Sequence, residues 1–380
     1  MRAVTSRAYG PPEVLRIEEV PAPVPSARDV RVRVQASTVT SGDARIRGFR
    51  GPRIFWLPLR LALGLRRPRN PIMGMEFAGV VESVGGAVTR FRVGDAVFGM
   101  TMRGANAELV TIREDAAIAA KPANLTNEEA ASLPFGAIAA LVFLRDVAKL
   151  QSGERVLVIG AAGGVGVFAV QLARHFGAHV TAVCSAGSID LVRSLGAAAV
   201  VDRAAEDFTE ATHRYDVILD TIGVSDVARC RRVLTPQGRH VFLSFGLAEM
   251  LHMAWTALRP GSRVLCGFSG TTLADLRIVG DLAEAGTLRP VIGRRFPLEE
   301  AVAAHRHVET GRKRGSLVLT LNDSQGTRTV LFDHTTASSS MNRVDDTSDA
   351  CARSPARAPV TVPSISDVAP APGWADPRRR

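Results

Sequence analysis

Apolar and polar positions follow two different rhythms along this chain of 380 residues. Up to about residue 120 the apolar positions come in short runs punctuated by Pro and Gly. The stretches 14–20, 30–36, 77–84, 96–99 and 107–111 alternate, or run briefly apolar, between turn residues, which predicts β-strands. Met1-Arg2-Ala3-Val4 enters a strand directly. Together these strands suggest a partly open antiparallel barrel. Helical stretches follow at 127–132 and 137–149, the first opened by Thr126 three residues ahead of Glu129, a capping-box spacing. From Gly153 onward strands and helices take turns, the signature of a parallel sheet. Strands are predicted at 155–159, 179–184, 198–201, 215–220, 239–244 and 263–268, and helices at 165–176, 188–195, 225–234, 247–258 and 272–285. Six strands fit a complete doubly wound sheet. After Leu288-Arg289-Pro290 a helix (298–310) and a strand (316–321) are expected to rejoin the first domain. The predicted organisation is therefore a barrel domain at 1–125, a doubly wound domain with its linking helices at 126–289, a return to the barrel at 290–321, and a tail at 322–380. Ser, Thr, Pro, Ala and balanced charge dominate the tail, which predicts disorder.

Chemistry enters at Arg155-Val156-Leu157-Val158-Ile159-Gly160-Ala161-Ala162-Gly163-Gly164-Val165-Gly166. An apolar strand breaks into a turn of small residues and a helix begins at Val165. In that context a glycine-rich turn brings backbone N–H groups close to a diphosphate at a helix N-terminus. Against the pattern G-x-G-x-x-G the first glycine is Ala161, with Gly163 and Gly166 in place. A dinucleotide is the expected ligand; an ordinary tight turn is the alternative. The next strand ends Val183-Cys184-Ser185-Ala186-Gly187, with no carboxylate before Asp190. Sites that prefer NAD carry Asp or Glu there to bond the ribose 2′-OH. A small hydroxyl and open backbone leave room for a 2′-phosphate, so NADPH is expected over NADH.

Composition narrows the classes. Aromatic residues make up 5% and hydrophobic residues 46%, which suits a soluble α/β enzyme. The net charge of +10 lies ahead of residue 322, because the tail balances seven Arg against seven Asp. Only Lys121, Lys149 and Lys313 are lysines, an Arg bias read as codon usage rather than as a nucleic-acid footprint. Such basicity would also steer a polyanionic cofactor. Cys184, Cys230, Cys266 and Cys351 are far apart and suggest neither a zinc site nor a disulfide framework. With no apolar leader and no run of 18 uncharged apolar residues, a cytoplasmic location and no transmembrane segment are expected.

Several motifs resemble the medium-chain dehydrogenase/reductase superfamily. They are Gly74-Met75-Glu76-Phe77-Ala78-Gly79-Val80-Val81, Phe91 to Gly99, Lys121 to Leu125, Ala131-Ser132-Leu133-Pro134, Gly163 to Gly166 and Tyr215 to Gly223. The resemblance spans about residues 1–321 and is strongest to the zinc-independent quinone oxidoreductases and related NAD(P)-dependent alcohol dehydrogenases. It implies an α/β fold in which a GroES-like partly open β-barrel joins a Rossmann domain, with the active site between them. Zinc-dependent members place Cys near Thr40-Ser41 and His at the position of Met75, so the resemblance implies no catalytic metal here. It maps cofactor binding onto Gly160, Ala162, Gly163, Gly164, Val165, Gly166, Cys184, Ser185, Arg203, Asp220 and Gly246. Where many relatives carry a basic residue two positions after Ser185, this chain has Gly187; Arg203 is a candidate substitute, or a plain solvent-facing arginine. A Thr near the nicotinamide in relatives is Ala139 here.

The implied reaction is hydride transfer from NADPH to a quinone or to an α,β-unsaturated carbonyl. A zinc-free alcohol dehydrogenase or carbonyl reductase, and a non-catalytic NADPH-binding protein, are the alternatives. Candidate catalytic residues are Ser41, Asp43 and Arg47, with Arg45 a further donor to a developing oxyanion and Asp43 also read as holding its loop. No side-chain acid stands out, so water is expected to supply the proton. Residues 47–69 hold seven Arg around Ile54, Phe55, Trp56, Leu57, Leu59, Leu61, Leu63 and Leu65, consistent with a packed surface element, a lid, or a patch resting on an anionic membrane. His305 and His307 are expected on an exposed helix in surface roles. A homodimer through the edge strand 263–268 completes the expectations.

Overall fold

The computed structural model describes residues 1–49 and 56–321. The expected disorder of 322–380, Cys351, and the portion 50–55 of the Arg-rich segment lie outside the described residues. The chain opens with β1 (Arg2–Ser6) and β2 (Leu15–Glu19), an antiparallel pair. Five strands of a seven-stranded sheet follow, β3 (Asp29–Val39), β4 (Glu76–Val84), β5 (Ala96–Met100), β6 (Leu109–Arg113) and β7 (Ile118–Ala120); the other two come from near residue 300. Between β3 and β4 lie α1 (Ser41–Gly48) and α2 (Trp56–Leu63). The inner residues Val30, Val32 and Val34 of β3 alternate with half-buried Arg31 and exposed Arg33 and share one core with Phe77, Val97 and Ile112. This is the GroES-like domain.

Two short helices, α3 (Asn127–Ala131) and α4 (Pro134–Val142), lead out of it. Thr126 caps α3 with Glu129 in the expected box. The helix anticipated at 137–149 starts earlier, at Pro134, whose fixed φ suits a first helical position. It ends in a π-turn over Phe143–Val147.

The second sheet contains β8 (Arg155–Ile159), β9 (His179–Cys184), β10 (Ala199–Asp202), β11 (Tyr215–Asp220), β12 (Leu234–Phe242) and β13 (Arg263–Cys266), interleaved with α5 (Gly166–His175), α6 (Ile189–Ser194), α7 (Val227–Arg232) and α8 (Leu247–Ala257). Every pairing is parallel, in the order β10-β9-β8-β11-β12-β13. That order reverses direction between β8 and β11. In such sheets a ligand crevice opens there, beyond the carboxyl ends of the strands. The central residues of both strands, 156–159 and 217–219, are all apolar because helices cover both faces.

After α9 (Leu273–Glu284) the chain rejoins the first sheet through β14 (Ile292–Pro297), α10 (Ala301–Glu309) and β15 (Ser316–Thr320), with β15 antiparallel to β3. Sequence reasoning missed β14, an edge strand whose Gly293, Arg294 and Arg295 are exposed, so it lacks an apolar stripe. The anticipated exposed helix of His305 is also corrected. Helix α10 is amphipathic, and His305 lies on its inner face with no exposure. Helix α2 buries none of its residues. Trp56, Leu57 and Leu61 are exposed, and the Arg60 guanidinium stacks over the rings of Tyr9, Phe49 and Trp56.

Candidate active site

A cleft of about 750 Å³ separates the two domains at the switch between β8 and β11. Ser41 and Arg45 line it from the barrel, Phe135 and Ala139 from α4, and Gly160, Ala162, Gly163, Gly164 and Val165 from the turn after β8. That turn cannot be built from larger residues. Gly160 adopts φ +77°, and a Cβ on Gly166 would stand 2.1 Å from the Gly160 carbonyl oxygen. The Gly163 N–H donates to the same carbonyl at 2.9 Å. A Cβ on Gly163 would meet only that oxygen, at 3.2 Å, so the rest of this side of the turn is open. No side chain caps the start of α5. The Val167 and Phe168 N–H groups bond the carbonyls of Gly163 and Val165, both at 3.1 Å, so an anion would meet the N–H groups just ahead of them, at Gly164 to Gly166. The cradle fits a dinucleotide diphosphate.

The other mapped cofactor residues sort by position. Cys184 and Ser185 line the cleft at the end of β9, and Arg203 lines it just after β10, its N–H donating to Cys184 O at 3.0 Å. Asp220 does not line it. Its buried carboxylate accepts the N–H groups of Ile222, Gly223, Val224 and Ser225, and so shapes the loop whose Thr221, Ile222 and Val224 do. Gly166 serves the packing of the turn rather than the cleft wall. Gly246 is absent from the lining; its N–H donates to Glu249 at the start of α8.

On the barrel side, Thr40 and Asp43 cap α1 reciprocally, with the Asp43 carboxylate accepting from Thr40 N at 2.7 Å and from Thr40 Oγ1 at 2.6 Å. Burial nevertheless pushes the Asp43 carboxyl up to about 6. Glu76, fully enclosed beside it, accepts from Thr38 Oγ1 and from the Phe135 N–H, and burial lifts it to about 7. The cation facing both carboxyls is half-buried Lys313, whose own ionisation burial pulls down while Glu76 and Asp43 support it. Arg45 donates to Ser244 Oγ at 3.0 Å, linking α1 to the loop after β12. Arg47 faces away from the main cleft. Its guanidinium has no exposure and donates to Gly10 O, to Glu309 and, at 3.3 Å, to His305 Nδ1. It and Asp43 line a smaller cavity with Met75, Ala62 and Leu63.

Sequence reasoning overlooked Lys313, Arg314 and Ser244. Glu76 had been seen only as part of a motif. The residues around Met75 also do not suit a catalytic zinc. Among the described residues no three His, Cys, Asp or Glu side chains converge, and the Glu76 carboxylate already has two donors.

Fold and cleft together are those of a two-domain α/β oxidoreductase with a crevice between a barrel and a doubly wound sheet. Residues 26–123 match the alcohol dehydrogenase GroES-like domain, and residues 195–319 match the zinc-binding dehydrogenase family. The human mitochondrial NAD(P)H oxidoreductase RTN4IP1 is 31% identical over 357 residues, covering 82% of this chain and 87% of the relative. The 2-methylene-furan-3-one reductase of Solanum lycopersicum is 31% identical, covering 84% and 79%. The quinone oxidoreductase structure from Coxiella burnetii superposes with a TM-score of 0.75 at 28% identity, covering 85% of this chain and 99% of that one. The chain belongs to the medium-chain dehydrogenase/reductase superfamily.

Proposed function

We propose that this protein is a zinc-free, NADPH-dependent reductase of quinones or α,β-unsaturated carbonyls. The observation that carries the reading is the composition of the cleft. A phosphate-cradling turn, a strand end without a carboxylate, and barrel donors Ser41 and Arg45 share one space, and among the described residues no three His, Cys, Asp or Glu side chains gather there. When bound, the reduced nicotinamide supplies the hydride. The chain holds the two reactants face to face, which makes their encounter effectively unimolecular. Ser41 and Arg45 offer hydrogen bonds to the substrate oxygen as negative charge develops on it. Asp43 acts through Thr40 by fixing the start of α1, which carries both donors. Water entering the cleft returns the proton.

The exposed apolar side chains Leu247, Leu251, Trp255 and Leu258 lie on and beside α8, next to the edge strand β13. They support a homodimer through that edge. The buried free cysteines Cys184, Cys230 and Cys266 fit a reducing compartment, the cytoplasm in this reading. The reaction is tested by following NADPH and NADH oxidation with a quinone, an enone and a saturated ketone. Turnover on the quinone or enone, faster with NADPH, is expected. Turnover on the ketone alone would make the protein a carbonyl reductase instead.

A further inference from the structure

The loop between α10 and β15 reads Arg312-Lys313-Arg314-Gly315 and belongs to the barrel, yet it lies against the other domain. A backbone bond pins it there, the Gly315 N–H donating to Ala162 O of the glycine-rich turn at 2.8 Å. Gly315 adopts φ +55°, and a Cβ on it would stand 2.1 Å from Val291 O, so the loop is held rather than merely touching.

From this anchor two consecutive basic side chains reach two different glycines. The Lys313 ammonium lies 3.0 Å from where a Cβ on Gly164 would stand. The Arg314 guanidinium, through Nη2, lies 2.6 Å from the corresponding point on Gly187. Gly164 belongs to the diphosphate cradle. Gly187 is two residues beyond Ser185, at the strand end where doubly wound proteins meet the substituent on the adenosine ribose. Arg314 therefore fills the space that a side chain at 187 would take, across 127 positions of sequence. Arg203, Arg312, Lys313 and Arg314 all line the same cleft. Among the described residues none of Arg203, Lys313 and Arg314 forms an ion pair. Lys313 has the Glu76 and Asp43 carboxyls nearby, but the guanidinium groups of Arg203 and Arg314 share the cleft without an ion pair among the described residues, and a polyanionic ligand relieves their repulsion.

We propose that Arg314 reads the cofactor's 2′-phosphate in place of a side chain at Gly187, while Lys313 meets the diphosphate. The barrel domain thus sets the choice between the two pyridine nucleotides. This rests on the nicotinamide-dinucleotide reading above. The guanidinium comes from the other domain, so NADPH bridges the cleft at this point whereas NADH does not.

The test is equilibrium titration of the full chain with NADPH and NADH, and with 2′,5′-ADP and 5′-AMP as fragments, at matched salt. Arg314→Ala should weaken NADPH and 2′,5′-ADP by about 10- to 100-fold, the loss expected of a charge-assisted contact, and leave NADH and 5′-AMP within twofold. Gly187→Arg added to Arg314→Ala should restore the preference, because the new side chain starts where the old one ended. Equal weakening of both nucleotides, or an unchanged ratio, overturns the proposal. If the wild-type chain binds both nucleotides equally, the NADPH preference and this assignment fail together and hydride transfer survives. Binding of neither overturns the cofactor reading itself.

Discussion

Arg47 offers the sharpest test of how the site is held. Its guanidinium ties three separated parts of the chain together: α1, which carries Ser41 and Arg45; the loop at Gly10; and the inner face of α10 through His305 and Glu309. Replacing it with Met keeps an apolar stem and removes all of these donors. His305 Nδ1 loses its partner in a buried place, half-buried Gly10 O loses one too, and Glu309 loses its buried cation. Breaking a buried pair in this way costs roughly 3–5 kcal/mol, a drop in melting temperature of order 10 °C. Thermal melts give the loss directly, and Glu309→Gln completes a double-mutant cycle. The double variant should cost less than the sum of the singles, since the two share one contact. At a temperature where Arg47→Met is folded, KM and kcat should lie within a few-fold of wild type. Melting within 2 °C of wild type, on the order of 1 kcal/mol or less, would refute the structural account. Unchanged melting with a large loss of kcat would instead put this cation on the substrate.

Further outcomes follow from the same geometry. Gly163→Val should abolish nucleotide binding with little change in melting, because that side of the turn is open, whereas Gly166→Val should destabilise the fold, because its Cβ would strike Gly160 O. Nucleotide titration and melting separate the two; retained NADPH affinity in Gly163→Val would refute the cradle. Burial raises Glu76 from 4.5 to about 7. Its contribution to stability is complete below the unfolded value and is lost as pH rises through 7, so Glu76→Gln should lose less stability than wild type between pH 5 and 8, and parallel melting curves would refute this. His305 has the opposite sign. Burial holds it down to about 3, so protonation of the unfolded chain below 6.5 favours unfolding, and His305→Gln should soften the loss of stability below pH 6. Leu251→Glu combined with Leu258→Glu should turn a dimer into a monomer by light scattering, and an unchanged mass would place the interface elsewhere.

What the chain determined by itself was local. The strand at 155–159, its glycine turn and the following helix were legible because the constraint is steric and acts over a dozen residues. The Thr126 capping box was legible because the hydroxyl and the Glu129 carboxyl meet within one helical turn. The missing carboxylate after β9 could be read from a single strand end. The expectation of no catalytic zinc came from two positions compared with relatives, Thr40-Ser41 and Met75. Tertiary structure decided whatever joins distant positions. His305 went from expected surface to core because its helix had to bury one face against the barrel, and periodicity alone does not say which face. Arg47 became a brace because folding brings Glu309 to it, 262 positions away. Arg314 lies against Gly187 only because the chain returns to the barrel before crossing the cleft. Electrostatic and packing contacts between domains depend on where backbones finally lie, and no local pattern of residues encodes that position.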